Sequence, residues 1–118
     1  MGKNDSSAPI RLATYGSLAP GEINHYQLSS LLGHWQRGKV HGRLTDSGWG
    51  SALGFPGLIL DPLGPAVDVY LFESQDLLNH WARLDEFEGE GYQRVVTEVD
   101  TEQGTLSAYI YVLAAPEI

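Results

Sequence analysis

The sequence predicts a β-rich α+β domain of about six strands and two helices, with a closed or half-closed sheet. Short segments in which apolar and polar residues alternate recur along the 118-residue chain, as strands with a covered face require. Glycines interrupt the longest of these segments, which is typical of bent strands. A repeating strand–helix–strand order does not occur in the sequence, so the sheet of a parallel α/β fold is not expected.

The first predicted elements are a strand over residues 10–15 and a helix over residues 24–33. The strand alternates until it reaches the segment 16–21, which supplies the glycines, serine and proline of a turn. Asn24 has the side chain of an N-cap, and Gly33 stands where a C-terminal glycine belongs. The apolar stripe between them consists of Leu28, Leu31 and Leu32.

A long bent strand is predicted over residues 35–45, with Gly38 and Gly42 marking bulges or close backbone contacts. Residues 46–56 form a predicted glycine-rich loop, and residues 57–60 form a short buried strand. The loop has two aromatic anchors, Trp49 and Phe55. The sheet is therefore expected to curve.

The second half of the chain begins with a strand over residues 67–72 and a helix that Ser74 caps. Residues 92–100 and 105–113 then alternate on either side of a short polar turn, so we expect a hairpin. Apolar residues recur along the helix at the spacing of one face: Leu77, Trp81 and Leu84.

The charge and composition of the chain limit its partners. Seven Lys and Arg against 15 Asp and Glu give a net charge of −8, which repels nucleic acid and anionic membrane surfaces. The chain has no cysteine, which excludes disulfides and thiolate catalysis. No apolar run reaches the roughly 18 residues that cross a bilayer. We expect a cytoplasmic protein with neither nucleic acid nor a membrane as its partner.

The length of the chain allows one domain, which we place at residues 10–118 after a flexible leader of residues 1–9. Gly2 and Ser6 fit the pattern for N-myristoylation. A polar, flexible leader accounts for the same residues, so lipidation of Gly2 stays open.

The most distinctive stretch covers residues 84–92 and holds four carboxylates: Asp85, Glu86, Glu88 and Glu90. Like charges at this density favour the neutral form of the least solvated carboxyl, and such a group is basic enough to move protons near neutral pH. Leu84 and Phe87 are apolar anchors, and two glycines release the backbone beyond them. We therefore expect Glu88 to point inward and the other three carboxylates to face water. The alternative is an acidic, solvated helix end.

A second stretch with chemical content, Tyr15-Gly16-Ser17-Leu18, follows the first strand. A glycine at a strand end lets successive backbone N–H groups converge on one point, which forms a small nest for a carboxylate or a developing oxyanion. Such a nest indicates an anionic small-molecule ligand. The alternative is an ordinary turn in which Ser17 bonds its own backbone.

Together, the two stretches resemble the gamma-glutamyl cyclotransferase-like family, most closely its small gamma-glutamylamine cyclotransferases and their bacterial relatives. The resemblance runs from Leu12 to Val112. The mid-chain run at 67–70 departs from it, because Val-Asp-Val-Tyr replaces a Gly-Glu-Leu-Tyr-like sequence. The implied fold is a small β-barrel with flanking helices, in agreement with the predicted elements. Further matches are Pro20-Gly21 with Asn24, Pro56-Gly57-Leu58 and Gly91-Tyr92-Gln93-Arg94.

The resemblance also implies a catalytic site. It makes Glu88 the catalytic acid and base, and it assigns the polar end of the substrate to the backbone of Tyr15, Gly16, Ser17 and Leu18. The pocket walls that it implies are Tyr92, Arg94 and Tyr111. The implied reaction converts a small-molecule gamma-glutamyl amine or peptide to 5-oxoproline and a free amine. No cofactor is expected, because the substrate's own α-amino group is the nucleophile.

Two other functions remain open on the sequence. One is a non-catalytic module that binds a gamma-glutamyl compound or another carboxylate metabolite, and the other is a scaffold whose acidic stretch is only a solvated surface. A metal is not expected, because the four histidines fall on no metal-ligand spacing. A serine hydrolase is disfavoured, because Ser17 does not lie in a Gly-x-Ser-x-Gly motif.

Overall fold

The structure is a computed structural model that describes residues 8–16, 18–22, 24–45 and 57–113. This part of the chain contains one α-helix, α1 (Trp81–Glu88), and short 3₁₀ segments. The 3₁₀ segments are Ala8–Ile10, His25–Gln27 and Gln75–Asn79. The strands are β1 (Arg11–Thr14), β2 (His34–Thr45), β3 (Gly57–Leu60), β4 (Ala66–Glu73), β5 (Tyr92–Thr101) and β6 (Gly104–Leu113).

Five of these strands form a closed barrel, as the sequence predicted. Their order is β2, β4, β1, β6 and β5, and the pair Lys39 and Asp100 joins β5 back to β2. All of the pairings are antiparallel except that of β1 with β6, which is parallel. β3 pairs with the far end of β2 and lies outside the ring. The predicted hairpin is β5–β6, with Thr101 opposite Gly104 across its turn.

Glycine is required where the barrel closes. A Cβ atom on Gly38 would lie 2.6 Å from Cγ1 of Val99 and 3.0 Å from the carbonyl oxygen of Asp100. Both distances are shorter than ordinary van der Waals contacts, so a larger residue would push β2 away from β5. Gly42 has the same role toward β3, where a Cβ would lie 2.4 Å from the carbonyl oxygen of Ile59. These contacts confirm the predicted close approach at both glycines.

The buried side chains form two separate cores. The inner core consists of small and branched side chains of the barrel together with one residue of β3: Ala13, Val40, Leu58, Val69, Leu71, Val99, Ala108, Ile110 and Val112. The outer core lies between the barrel and the helical segments and contains Leu12, Leu18, Leu28, Leu31, Phe72, Leu77, Trp81, Leu84 and Tyr111. Adjacent residues such as Leu12 and Ala13 belong to different cores, because successive strand residues point to opposite faces.

The predicted helix over residues 24–33 was wrong. The structure has only a 3₁₀ segment at His25–Gln27, and backbone bonds from residue i to i+3 continue to Leu31. Leu28 and Leu31 are buried, but Leu32 is 82% exposed. Contacts with the segment after β4 replace the helix here, because the Leu32 N–H donates to Asp76 and its carbonyl accepts from the Ser74 hydroxyl. The segment is also rich in residues of weak helix propensity.

The second predicted helix exists, but it is divided. Ser74 caps a 3₁₀ segment by accepting a hydrogen bond from the Asp76 N–H at 3.1 Å, which confirms the predicted cap. The α-helical part, α1, starts only at Trp81. All three residues of the predicted apolar face are buried: Leu77, Trp81 and Leu84. The Trp81 indole also donates to the carbonyl of Pro9 and thereby fastens α1 to the start of the described chain.

We expect Gly38→Ala to destabilise the fold by about 1–3 kcal/mol, because the added methyl overpacks the seam between β2 and β5. Alanine would otherwise favour a strand interior over glycine, so a loss of stability isolates the steric effect. Urea denaturation measures it. In a Val99→Ala background, where the nearest contacting atom is removed, the same substitution should cost less. If the destabilisation of the double variant equals the sum of the two single destabilisations, this account of the seam is contradicted.

Candidate functional site

Glu88 occupies the last turn of α1, beside the barrel. Gly89 ends the helix with a φ of 83°, in the region that favours glycine, and its N–H donates to the carbonyl of Asp85. The side chain of Glu88 is partly buried, whereas Glu86 and Glu90 are exposed. These three orientations agree with the prediction.

Burial changes the acidity of this carboxyl group. Desolvation raises the pKa of Glu88 from 4.5 to about 7. The cause is physical, because a charge loses its hydration when the group that carries it is surrounded by protein. Glu88 can therefore take up and release a proton at neutral pH.

Tyr15 connects the end of β1 to two other strands. Its hydroxyl donates to the carbonyl oxygen of Tyr111 on β6 at 2.8 Å and accepts from the Leu58 N–H on β3 at 3.2 Å. Burial raises the pKa of Tyr15, and the negative charges of Tyr92 and Glu88 raise it further. Tyr15, Tyr92 and Glu88, which are distant in sequence, are therefore close enough in the fold for their charges to interact.

Asp85 is partly exposed, as expected, but it also has bonding partners that the sequence did not predict. The Arg94 guanidinium binds it at both oxygens, Nε to Oδ1 at 2.8 Å and Nη2 to Oδ2 at 3.0 Å. The Tyr111 hydroxyl donates to the same Oδ1 at 2.6 Å. The hydrogen bonds from Arg94 lower the pKa of Asp85 below its ordinary value despite partial burial. The charge is stable at this position because the fold supplies partners for it.

Arg94 packs against a pair of aromatic rings that contact each other edge to face. Its guanidinium lies 4.6 Å from the ring centroid of Trp81 and 4.5 Å from that of Tyr109. The guanidinium of Arg94 also binds both oxygens of Asp85, so this side chain joins α1 to the β5–β6 hairpin. We refer to Arg94, Asp85 and Tyr111 as the Asp85 cluster.

The turn after β1 is closed by a hydrogen bond from the Ala19 N–H to the Gly16 carbonyl at 3.0 Å. Nδ1 of His25 lies 3.1 Å from the carbonyl oxygen of Leu18 and holds the far side of the turn. None of the described residues has an atom within 4 Å of the place where a Cβ on Gly16 would lie, apart from its chain neighbours. Space is therefore open beside this backbone. Ser17 lies outside the described residues, so the complete nest stays a prediction.

The fold brings most of the predicted site residues to one end of the barrel. Glu88 interacts electrostatically with Tyr15 and Tyr111, and Tyr92 interacts with Tyr15. The side chain of Leu18 is buried in the outer core. The predicted glycine-rich loop at residues 46–56 lies outside the described part of the chain. Within the described part, no three metal-ligating side chains cluster, and no helix has the length and apolarity to cross a membrane.

Sequence reasoning missed the Asp85 cluster, although two signals pointed to it. Asp85 precedes Glu88 by three residues, so both side chains lie on one face of a helix. Arg94 and Tyr111 are directly opposite each other in the β5–β6 ladder. Cross-strand partners share a face, and here that face meets α1. The register of the hairpin, which the turn at 101–104 determines, would have predicted the contact.

Comparison with known proteins now gives the family. The family model described as "Gamma-glutamyl cyclotransferase, AIG2-like" matches residues 12–118. The chain belongs to this family. Family membership supports a cyclotransferase function in general terms, with a small molecule as the substrate.

Solved structures share the fold of this gamma-glutamyl cyclotransferase-like chain. An AIG2-like protein from Mus musculus has 23% identity and a TM-score of 0.70, over 92% of this chain and 79% of that one. YkqA from Bacillus subtilis has 24% identity and a TM-score of 0.69, over 92% of this chain but only 37% of that one. A structure named gamma-glutamyl cyclotransferase has 19% identity and a TM-score of 0.68, over 92% and 68%. A comparison with curated proteins found no match.

We expect Tyr15→Phe to destabilise the protein by roughly 1–3 kcal/mol, because it leaves the Tyr111 carbonyl and the Leu58 N–H without their shared partner. Urea denaturation gives the difference. Tyr26→Phe is the matched control, since Tyr26 is 64% exposed and the same change there should have little effect. Equal stabilities of the two variants would contradict a bridging role for Tyr15.

The raised pKa of Glu88 predicts how stability depends on pH. The folded protein holds this proton more tightly than the unfolded chain does, so the contribution is complete below pH 4.5 and is lost as pH rises through about 7. Glu88→Gln removes the titration, so that between pH 5 and pH 8 it should gain roughly 1–3 kcal/mol relative to the wild type. Urea denaturation at the two pH values measures this. Glu86→Gln, at an exposed position of the same helix, should keep the wild-type slope.

Proposed function

We propose that this chain is a cyclotransferase that converts a small gamma-glutamyl amine or peptide to 5-oxoproline and a free amine, with Glu88 as general acid and base. The observation that supports it most is the partly buried carboxyl of Glu88, whose pKa is raised to about 7. This group lies close to Tyr15, the residue at the start of the predicted nest. Membership in the cyclotransferase family supports the class of reaction.

The chemistry that the site must promote is intramolecular. The α-amino nitrogen of the gamma-glutamyl group attacks its own γ-carbonyl carbon, and a five-membered lactam closes. The new C–N bond forms as the carbonyl becomes a tetrahedral oxyanion, and the bond to the departing amine then breaks. Holding the flexible chain in the conformer that cyclises is a large part of the work, because orientation alone contributes up to about 7–11 kcal/mol in favourable intramolecular reactions.

Glu88 is suited to both proton transfers. As a carboxylate it accepts a proton from the α-ammonium group, which makes the nitrogen nucleophilic. As a carboxylic acid it returns that proton to the nitrogen of the departing amine, so that the enzyme ends each cycle in its starting state. The second proton that the attacking nitrogen loses in forming the lactam also goes to the released amine, which leaves as an ammonium ion. General acid–base catalysis of this kind contributes about 10²- to 10⁴-fold, and it is most effective when the pKa lies near the working pH.

The oxyanion requires donors, and the available ones are restricted. The hydroxyl protons of Tyr15 and Tyr111 are already donated, to the Tyr111 carbonyl and to Asp85. We therefore assign the oxyanion to the backbone N–H groups of residues 16–18, and none of the described residues beyond its chain neighbours lies within 4 Å of the place where a Cβ on Gly16 would lie. Loss of one oxyanion donor typically costs about 2.7–4 kcal/mol in other enzymes. The tyrosines then serve as walls that keep water from Glu88.

We expect Glu88→Gln to abolish formation of 5-oxoproline, with a loss of at least about 100-fold in kcat. Glutamine has nearly the same shape and can bind the substrate, but it cannot carry the proton. The assay incubates the full chain with a panel of gamma-glutamyl amines and peptides and detects 5-oxoproline. Wild-type kcat/KM should rise with pH through about 7, because the carboxylate is the active form of the base.

Two controls separate this proposal from its alternatives. Glu86→Gln and Glu90→Gln change exposed carboxylates in the same stretch and should keep most of the activity. Binding of a gamma-glutamyl compound by the wild-type protein without any 5-oxoproline would instead identify a binding module. Near-normal turnover by Glu88→Gln would remove Glu88 from its role as base.

A further inference from the structure

Tyr111 interacts electrostatically with two carboxylates, Asp85 and Glu88, but has only one proton to donate. Asp85 and Glu88 are three residues apart on α1 and face β6 together. After burial, both the hydrogen bond to Asp85 and the negative charges of Asp85 and Glu88 raise the pKa of Tyr111. The hydroxyl is 2.6 Å from Oδ1 of Asp85 and donates to it. The Tyr111 proton is therefore engaged by Asp85 and is not available to Glu88.

We propose that Asp85 and Arg94 are positioning residues that hold the Tyr111 hydroxyl proton on Asp85, so that Tyr111 does not donate a hydrogen bond to Glu88. The inference rests on the proposed function for its catalytic meaning, because a base that accepted this bond would be weakened. A hydrogen bond to the charged form of a carboxyl favours that form and lowers its pKa. Diverting the proton leaves burial to set the acidity of Glu88.

Arg94 explains why the Tyr111 hydroxyl donates to Asp85 and not to Glu88. Two charge-assisted bonds at 2.8 and 3.0 Å keep Asp85 ionised, and an ionised carboxylate is a stronger acceptor than a carboxyl that is protonated for part of the time. The guanidinium also packs against the rings of Trp81 and Tyr109, which contact each other edge to face. Arg94 is also the cross-strand partner of Tyr111, so backbone pairing fixes both groups relative to each other. The arrangement is complete without a ligand.

Tyr15 shows the same arrangement independently. Its proton is donated to the carbonyl of Tyr111 at 2.8 Å, so a second buried phenol beside Glu88 also has its proton engaged elsewhere. Both phenols therefore shield Glu88 from water without stabilising its charge by donation. In the described part of the chain, Glu88 interacts electrostatically with Tyr15 at the end of β1 and with Tyr111 on β6. The titratable groups that interact with these two phenols are Asp85 on α1 and Tyr92 and Arg94 on β5.

The test follows the Glu88 carboxyl carbon by ¹³C NMR during a pH titration of the full chain, in the absence of substrate. In the wild type the midpoint should lie at about 7. Tyr111→Phe should leave it within about 0.3 of that value, because the lost proton was never on Glu88. A rise of about one unit would overturn the proposal, since it would show that Tyr111 had been donating to Glu88. This variant keeps the buried ring, so it tests the proposal even if changes at Asp85 prevent folding.

The second arm is a double-mutant cycle. Asp85→Ala releases the Tyr111 proton and should lower the Glu88 midpoint by about one unit more with tyrosine at 111 than in the Tyr111→Phe background. Equal shifts in the two backgrounds would overturn the proposal, because they would show only the loss of a neighbouring charge. Tyr26→Phe is the control at an exposed tyrosine. The midpoint needs no turnover, so failure of the cyclotransferase assay and failure of this inference are separate results.

Discussion

Successive side chains of β6 point into two different cores, and this constraint creates the site. Ile110 and Val112 fill the barrel interior, while Tyr111 points outward under α1. The backbone carbonyl of Tyr111 accepts from Tyr15, and its side chain donates to Asp85. One residue thus connects the end of β1 to the helix that carries Glu88. The site forms at this junction because the two cores meet there.

Two carboxyl groups that lie three residues apart in the sequence have pKa values shifted in opposite directions by their environments. Arg94 and Tyr111 lower the pKa of Asp85 by donating to it, whereas burial raises the pKa of Glu88 to about 7. Pairs of acids with such different environments are a common basis for different catalytic roles. Asp85 keeps its charge and joins α1 to the hairpin. Glu88 can gain and lose its proton, and that difference is why the chemistry is assigned to it.

Much of the fold and of the candidate site could be predicted from the sequence, wherever the local residue pattern determines the structure. Alternating residues and one short apolar run predicted all six strands, glycine predicted a bulge or a close backbone contact at Gly38, and the apolar anchors beside the carboxylates predicted the inward direction of Glu88. The helix over residues 24–33 failed because Leu32 bonds to Ser74 and Asp76, which are distant in sequence. The hydrogen-bond partners of Asp85 were not predicted, for a related reason. These partners depend on the register of the β5–β6 hairpin, and the spacing of residues along one segment does not determine that register.

The hydrogen bonds and ion pairs of the surrounding side chains also limit which group can transfer the proton. Arg94 is neutralised by Asp85, and the protons of Tyr15 and Tyr111 are engaged in hydrogen bonds. Of these side chains and Glu88, only Glu88 has a pKa near neutrality. If the chain runs the proposed reaction, one group must therefore serve both as the base toward the α-ammonium and as the acid toward the leaving amine. Such a shuttle needs no second titrating residue, and its efficiency depends on keeping the carboxyl shielded from water while its proton is in transit.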